Sequence, residues 1–314
     1  MYLFNEVLFV GRVSSPLNYT GGKFRLLPQI TSLFPENIRF FIDLFCGGCN
    51  VGANVPAEKV FFNDNNAVLV GLLKTFHKIK ANELIHRIER FIQQYELSDS
   101  SKYGYEYYGA NGADGLANYN REAFLKMRDD FNALTEQDEE YFIRLYVLIL
   151  FAFNNQLRFN RDGKYNLPVG KRDFNIPMRK KLLAFLERIQ DKRYLFSCVD
   201  FRDWDYTQLT REDLVYVDPP YLITCASYNE QNGWNEKDER DLLDFLDNLH
   251  RSDIRFALSN VLKSKGKENS LLQTWISHHS KEYTVHALNY HYANSNYQTK
   301  DRSFSSEEVL IVNY

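Results

Sequence analysis

The stretch LVYVDPPYL, residues 214 to 222, ends an apolar run with an acid, two prolines and an aromatic ring. That combination suits one kind of chemistry. An exocyclic amino group on a nucleobase is a poor nucleophile, because its lone pair is delocalised into the ring. Two acceptors, one for each N–H, favour a more tetrahedral nitrogen and offset the positive charge that develops as it attacks. Asp218 supplies one acceptor as its carboxylate, and the backbone carbonyl of Pro219 can supply the other. The fixed φ angles of Pro219 and Pro220 hold that carbonyl rigidly. Tyr221 offers a ring on which a base can stack. A Pro-Pro loop start after an incidental aspartate is the plainer reading, and it loses ground once the other acids are counted.

Three more acids, Asp43, Asp64 and Asp200, fall at or near the ends of stretches that read as strands. In an open α/β sheet, ligands sit beyond the carboxyl ends of the strands, near the point where strand order reverses. Asp43 precedes LFCGGCNVG, whose glycines let backbone approach a ligand closely. Asp64 lies about twenty residues downstream, where an acid commonly holds ribose hydroxyls. The turn Gly47-Gly48-Cys49-Asn50-Val51-Gly52 departs from the Gly-x-Gly-x-x-Gly pattern that seats a pyrophosphate on a helix N-terminus. A nucleoside cofactor without phosphates is easier to accommodate. S-adenosylmethionine has a ribose, an adenine, an amino-acid tail and a sulfonium, but no phosphate.

The elements that must position these residues alternate along the chain. IRFFIDLFCGG (38–48), KVFFNDNN (59–66), RYLFSCVDF (193–201) and LVYVDPPY (214–221) read as buried strands of a parallel sheet. EKDERDLLDFLDNLHRS (236–252) places Leu242, Leu243, Leu246 and Leu249 on one helical face, IRFALSNV follows as a strand, and EEVLIVNY closes the chain as another. The expected fold is a doubly wound α/β domain. From about 67 to 190 the pattern is mostly helical instead, broken by SKYGYEYYGANGADGLANYN (101–120), which reads as a long surface loop. QLRFNRDGKYNLPVG (156–170) has the marks of a β-hairpin, with Asp162-Gly163 as turn residues and Leu157, Phe159, Tyr165 and Leu167 on its arms.

Composition excludes several classes. The chain has 314 residues, 44% of them hydrophobic, enough for a large core domain carrying an insertion. Its longest apolar run, LYVLILFAF, is too short to span a bilayer, and the N-terminal stretch lacks the marks of a signal peptide, so a soluble, cytoplasmic protein is expected. Cys46 and Cys49 form a Cys-x-x-Cys pair with no second pair or nearby histidine, so no metal is expected. There is no His-Glu-x-x-His and no Gly-x-Ser-x-Gly, which leaves hydrolysis without support. The net charge is −3, but residues 155–193 hold eleven basic residues against four acidic ones, a local +7. Arg158, Arg161, Lys164 and Lys171 flank the hairpin turn beside Asn160 and Asn166. Such a hairpin is either a solvated surface or a reader of phosphates and base edges.

With these motifs in this order, nearly the whole chain resembles the Dam-type (D12 class) N6-adenine DNA methyltransferases, with a closer likeness around DPPYLITCASYN to those of type II restriction systems. The resemblance implies a Rossmann-like methyltransferase fold in which 1–66 and 191–314 form the catalytic domain and 67–190 a mainly helical target-recognition domain carrying the hairpin. It implies S-adenosylmethionine as cofactor and double-stranded DNA as partner, with a cognate restriction endonuclease acting separately on the same site. NYTGGKFRLLPQI is similar to the N-terminal cofactor segment, placing Tyr19 and Lys23 at the cofactor. DLFCGGCNVG is similar to the first-strand loop, giving Asp43, Phe45 and Gly47 cofactor roles. Asp64 is placed at the ribose, Asp200 and Phe201 of CVDF around the adenine, and Asp218, Pro219, Pro220 and Tyr221 at the reacting amino group, with Asp218 also at the cofactor. Arg158, Asn160, Arg161, Lys164, Tyr165 and Lys171 are the implied DNA contacts, and DRSFSSEEVLIVNY is similar to the closing strand. Cys49 stands where the family usually has a second glycine, so its side chain is expected near the methionine moiety. Related motifs also serve methylation of RNA bases and of protein glutamine, and a DNA-binding homologue without activity is a third alternative.

Overall fold

A computed structural model of the chain describes residues 11–19, 21–110, 112–224, 233–289 and 306–314. Residues 225–229 of DPPYLITCASYN and 301–305 of DRSFSSEEVLIVNY therefore lie outside the described residues. The chain divides into two compact units. The first includes Lys23–Asn65 and Arg193–Tyr314, and the second is Gly11–Gly22 with Asn66–Lys192.

The first unit begins with α1 (Leu27–Thr31), β1 (Phe40–Asp43) and β2 (Lys59–Asn63). The chain then leaves for the second unit, whose helices are α2 (Ala67–Lys78), α3 (Ala81–Gln94), α4 (Ser100–Tyr103), α5 (Ala117–Asn132), α6 (Glu139–Phe151) and α7 (Ile176–Ile189). It returns as β3 (Tyr194–Ser197), β4 (Leu214–Val217), α8 (Glu236–Arg251), β5 (Arg255–Ser264), β6 (Lys267–Glu268), α9 (Ser270–His278), β7 (Thr284–Leu288) and β8 (Glu307–Val312).

The strands of the first unit build an eight-stranded sheet in the order β3-β2-β1-β4-β5-β8-β7, with β6 attached to β5. β1 pairs in parallel with both β2 and β4, so strand order reverses between β1 and β4. Their carboxyl ends form the crevice in which ligands of such sheets sit. All four residues of β4 are buried, as expected for a strand covered on both faces. Leu242, Leu243, Leu246 and Leu249 of α8 close one face, packing with Ile42, Val215, Val217, Phe256, Leu258 and Ile311. Asn235 and Asp238 start α8 as a reciprocal capping box. β8 enters antiparallel between β5 and β7. β7 was not anticipated, because four of its five residues are not buried and its sequence lacks a strand's apolar signature.

The second unit is a helical bundle around α6. Ten of the thirteen residues of α6 are buried, and it packs against α2, α3 and α5. At Gly71 of α2 a Cβ would overlap the Phe142 ring at 2.1 Å, so this close approach needs glycine. Residues 11–22, grouped with 1–66 in the sequence reading, cluster here: Ser15, Pro16 and Leu17 are buried, Asn18 Nδ2 donates to the Asn154 carbonyl at 3.0 Å, and Arg188 donates to the Gly11 carbonyl at 3.1 Å.

The 101–120 segment is not a long loop. It contains most of α4, a 3-10 turn at Glu106–Tyr108 and the start of α5. Two features organise it. The buried Asp173 carboxylate accepts from Ser98 Oγ and from both the backbone and hydroxyl of Ser100, while Asn120 bonds Ser98 twice. Tyr103 stacks on Tyr107, and Tyr107, Tyr108 and Tyr119 follow edge to face. Aromatic packing at a distance replaced the helical periodicity that a sequence scan reads.

Candidate active site

Asp43 ends β1 with 2% exposure, and its Oδ2 accepts the Gly52 backbone N–H at 2.9 Å. Asp64 follows β2, and its Oδ2 accepts the Gly47 N–H at 3.0 Å. Two neighbouring strands thus hold the two ends of the glycine-rich loop by their carboxylates. Gly47 has φ +46°, and a Cβ on Gly52 would lie 2.6 Å from the Phe62 ring and 3.0 Å from Asp43 Oδ2. Both glycines are therefore required. Cys49 has φ +62°, a left-handed conformation that costs a side-chain-bearing residue about 1–2 kcal/mol. This is why glycine suits the position. Its thiol is fully buried, so the side chain packs into the protein and not toward open space.

Asn63 went unnoticed in the sequence. Its Nδ2 donates to the carbonyls of Leu44 (3.1 Å) and Val199 (3.0 Å), and its Oδ1 accepts from Ser197 Oγ (2.8 Å) and the Val199 N–H (3.2 Å). One buried amide thus ties together the ends of β1, β2 and β3. The sequence signal was present in NDNN, where a polar residue directly precedes the acid.

Asp218 follows β4 at the crevice. Its Oδ1 accepts from Lys23 Nζ at 2.8 Å and from the Tyr221 hydroxyl at 2.8 Å, and the Lys23 ammonium also lies 4.9 Å from the Tyr221 ring centroid. No hydrogen bond among the described residues falls on Oδ2. Lys23 is only 6% exposed, so this ion pair is screened little by solvent. Pro219 is buried, while Pro220 and Tyr221 are half-buried. Burial and the adjacent Asp218 charge hold the Tyr221 phenol well above its ordinary pKa, so it remains a donor to the carboxylate.

Asp200 and Phe201 lie after β3. Asp200 caps the 3-10 turn by accepting from the Arg202 N–H at 3.0 Å, and its carboxylate pairs with the Arg202 guanidinium, which also reaches Asp238 and Asp241. The Phe201 ring is 3% exposed, covered by Phe45 (centroids 5.6 Å), Trp234 (5.9 Å) and Phe245 (6.1 Å). Trp234 is held in turn by Glu239, a fully buried carboxylate that accepts from Trp234 Nε1, Asn260 and Asn269. Neither Arg202 nor Glu239 was singled out in the sequence, since their partners are brought together only by the fold.

Three carboxylates thus neighbour one another at the crevice, with Lys23 bonded to one of them. Burial, followed by the charges of Asp218 and Asp64, raises Asp43 to about 7. Such a site favours a cation. The ammonium and sulfonium of S-adenosylmethionine fit that chemistry, as does a loop whose glycines expose backbone. Among the described residues no group of three or more His, Cys, Asp or Glu side chains is arranged to hold a metal ion.

The second unit carries Tyr19, half-buried beside Asn18, and the hairpin. The hairpin is pinned by two bridges, Ala152 with Val169 and Phe159 with Tyr165, without a continuous ladder. Its tip is a turn closed by Gly163 N–H to the Asn160 carbonyl at 3.0 Å, with Gly163 at φ +71°. The Asn160 side chain serves the turn itself, accepting from the N–H groups of Asp162 and Lys164. Arg158, Arg161 and Lys164 are exposed, Arg158 donating to Asn166 Oδ1 at 3.2 Å. Lys171 is exposed and bonds the Ala113 carbonyl. Tyr165 is the correction: it is 1% exposed, its hydroxyl bonds the Gln156 carbonyl at 3.0 Å and its N–H bonds Asn132 at 2.8 Å. It anchors the hairpin from inside, because the pleat that turns its cationic neighbours outward turns this ring inward.

Among curated relatives, the chain is 42% identical over 308 residues to Type II methyltransferase M.FokI of Planomicrobium okeanokoites, and 39% identical over 308 residues to Modification methylase StsI of Streptococcus sanguinis. Each alignment covers 96% of this chain and 43% of the relative, so the chain spans less than half the length of these proteins. It is also 26% identical over 276 residues to a DNA adenine methylase of Haemophilus influenzae, covering 87% of this chain and 82% of the relative. The family model described as D12 class N6 adenine-specific DNA methyltransferase matches residues 19–294, a span running from Tyr19 past the glycine loop, the hairpin and Asp218, and the chain therefore belongs to that family.

Proposed function

We propose that this chain transfers a methyl group to N6 of an adenine flipped out of a short duplex DNA site, with S-adenosylmethionine as donor, in the setting of restriction and modification. The observation that carries the reading is Asp218. Its Oδ1 is held by Lys23 and Tyr221, and its Oδ2 carries no bond from the described residues, at the reversal point of the sheet. A carboxylate restrained on one oxygen presents the other to an N–H without further ordering, which is the preorganisation that lowers a transition state.

Lys23, Asp43, Phe45, Gly47, Asp64, Asp200, Phe201 and Asp218, with Tyr19, are the residues assigned to the cofactor. S-adenosylmethionine, when bound, supplies an electrophilic methyl group on a sulfonium. Asp218 Oδ2 accepts one N6–H of the target adenine and the Pro219 carbonyl the other, drawing electron density toward nitrogen as positive charge develops there. Tyr221 stacks on the base and, through its hydroxyl, keeps Asp218 oriented. Flipping costs a few kcal/mol, which contacts from Arg158, Asn160, Arg161, Lys164 and Lys171 along the strand would offset. The partners that follow are double-stranded DNA and a separate endonuclease reading the same site. No described helix is long and apolar enough to cross a membrane.

Transfer of a labelled methyl group from S-adenosylmethionine to duplex DNA, RNA and protein, run in parallel, tests the reading. Label is expected in N6-methyladenine of duplex DNA alone, and Asp218→Ala is expected to abolish it while leaving DNA affinity within a few fold. Label in RNA or glutamine, or substantial turnover by Asp218→Ala, overturns the assignment.

A further inference from the structure

The second unit contains a cavity of about 180 Å³ lined by Pro16, Asn18, Tyr146, Asn155, Arg172, Pro177, Met178 and Lys181. Three of its polar groups have no hydrogen bond or ion pair among the described residues: the Arg172 guanidinium, the Lys181 ammonium and the Tyr146 hydroxyl. Tyr146 is 1% exposed, packs edge to face on Phe76, and lines this cavity. Arg172 is exposed, whereas the half-buried guanidiniums Arg87, Arg179 and Arg144 of this unit are partnered, by Glu139 and Glu140, by Glu89 and by the Phe91 ring. Lys181 is half-buried without any anion, and desolvation holds its ammonium below the ordinary lysine pKa. A half-buried ammonium with no counter-charge is kept at a cost, which an anion held jointly by Lys181 and the exposed Arg172 at the same cavity removes.

The cavity also has a definite place. Asn155 immediately precedes the hairpin segment and Arg172 follows it by two residues, and the base of the hairpin is closed beside them by the Gly170 N–H bond to the Phe151 carbonyl at 2.7 Å and the Ala152–Val169 bridge. It therefore lies at the foot of the hairpin that displays Arg158, Arg161 and Lys164. We infer that this cavity is a phosphate seat: Arg172, Lys181 and the Tyr146 hydroxyl together hold the non-bridging oxygens of one backbone phosphodiester of the DNA strand that meets the hairpin. This rests on the reading of the chain as a duplex-DNA methyltransferase. A single phosphate held by two cations and a phenol fixes where the strand enters the hairpin, without reading its sequence.

The test uses Lys181→Met, Arg172→Gln and the double variant, each titrated with fluorescent duplex DNA between 50 and 200 mM salt. Both replacements keep the aliphatic stem, and thermal melting of Lys181→Met is expected at or above that of the wild type because an unpaired half-buried charge is gone. Neutralising one phosphate contributes about 0.9 to the slope of log affinity against log salt. Each single variant, and equally the double, is expected to lower the slope by about 0.9, because both cations serve the same phosphate. Across this salt range the wild type should lose about 3.5-fold more affinity than the variants. Scanning the duplex with neutral methylphosphonate linkages should find one position that weakens the wild type and not the double variant. Unchanged slopes, or a double variant losing about 1.8, overturns the shared seat. Protection of the wild type, but not of Lys181→Met, by millimolar inorganic phosphate with unchanged DNA slopes assigns the cavity to a small anion instead. Absence of salt-dependent duplex binding by the wild type itself would remove the functional reading along with the seat.

Discussion

Asp43 provides the sharpest quantitative test. Its carboxylate is buried at the end of β1 beside Asp64 and Asp218, and its pKa is raised from the ordinary 3.8 to about 7. The folded state therefore binds this proton more tightly than the unfolded chain does. The stabilisation is full below about pH 4 and is lost as pH rises through 7. At 1.36 kcal/mol per pKa unit the loss amounts to about 4 kcal/mol by pH 8. Asp43→Asn keeps an oxygen to accept the Gly52 N–H and removes the titration. In urea melts from pH 4.5 to 8, wild-type stability relative to Asp43→Asn should fall by a few kcal/mol, steepest between pH 4 and 7. Parallel profiles for the two proteins would refute the burial argument. The same group predicts linkage to the proposed cofactor. A cation in the site favours the ionised carboxylate, so S-adenosylmethionine binding at pH 6 should release up to one proton, measurable by calorimetry in buffers of different ionisation enthalpy. S-adenosylhomocysteine, which lacks the sulfonium charge, should release less.

Two further predictions follow from geometry alone. Gly52→Ala drives a Cβ to 2.6 Å from Phe62, an overpacking expected to cost about 1–3 kcal/mol and to loosen the glycine loop; an unchanged melting temperature and unchanged affinity for the proposed cofactor would contradict it. On the hairpin, Tyr165→Ala should lower stability by about 3–5 kcal/mol, whereas Arg158→Ala should weaken duplex binding and its salt slope with melting unchanged. The opposite pattern would return Tyr165 to the DNA-facing surface.

The first unit was largely legible because its strands are buried on both faces. β1, β2, β3, β4 and β8 fall within the apolar runs read from the sequence, β5 begins in IRFALSNV and runs on to Ser264, and Asp43, Asp64, Asp200 and Asp218 fall at or after the carboxyl ends of β1 to β4. β7 was not legible, since its residues are mostly exposed and its place depends on β8 entering antiparallel beside it. Nor was the order inside 101–120, whose helices depend on Asp173 and on tyrosines stacking across turns. Short polar segments held by distant partners leave no periodic trace.

The sequence by itself determined the inventory: Asp218 with two prolines and a tyrosine, a glycine loop between two acids, and a cationic hairpin around Asp162-Gly163. These are local patterns, set by φ restriction, by glycine's conformational freedom and by alternation of apolar residues. Tertiary structure alone decided which oxygen of Asp218 is restrained, because Lys23 and Tyr221 meet there only after β4 is placed beside β1. It decided that Cys49 faces inward, that Tyr165 anchors instead of reads, and that Asn63, Glu239 and the Arg172–Lys181 cavity exist at all. Each depends on groups far apart in the chain, whose meeting is set by packing and by the energetic penalty of burying polar atoms unpaired.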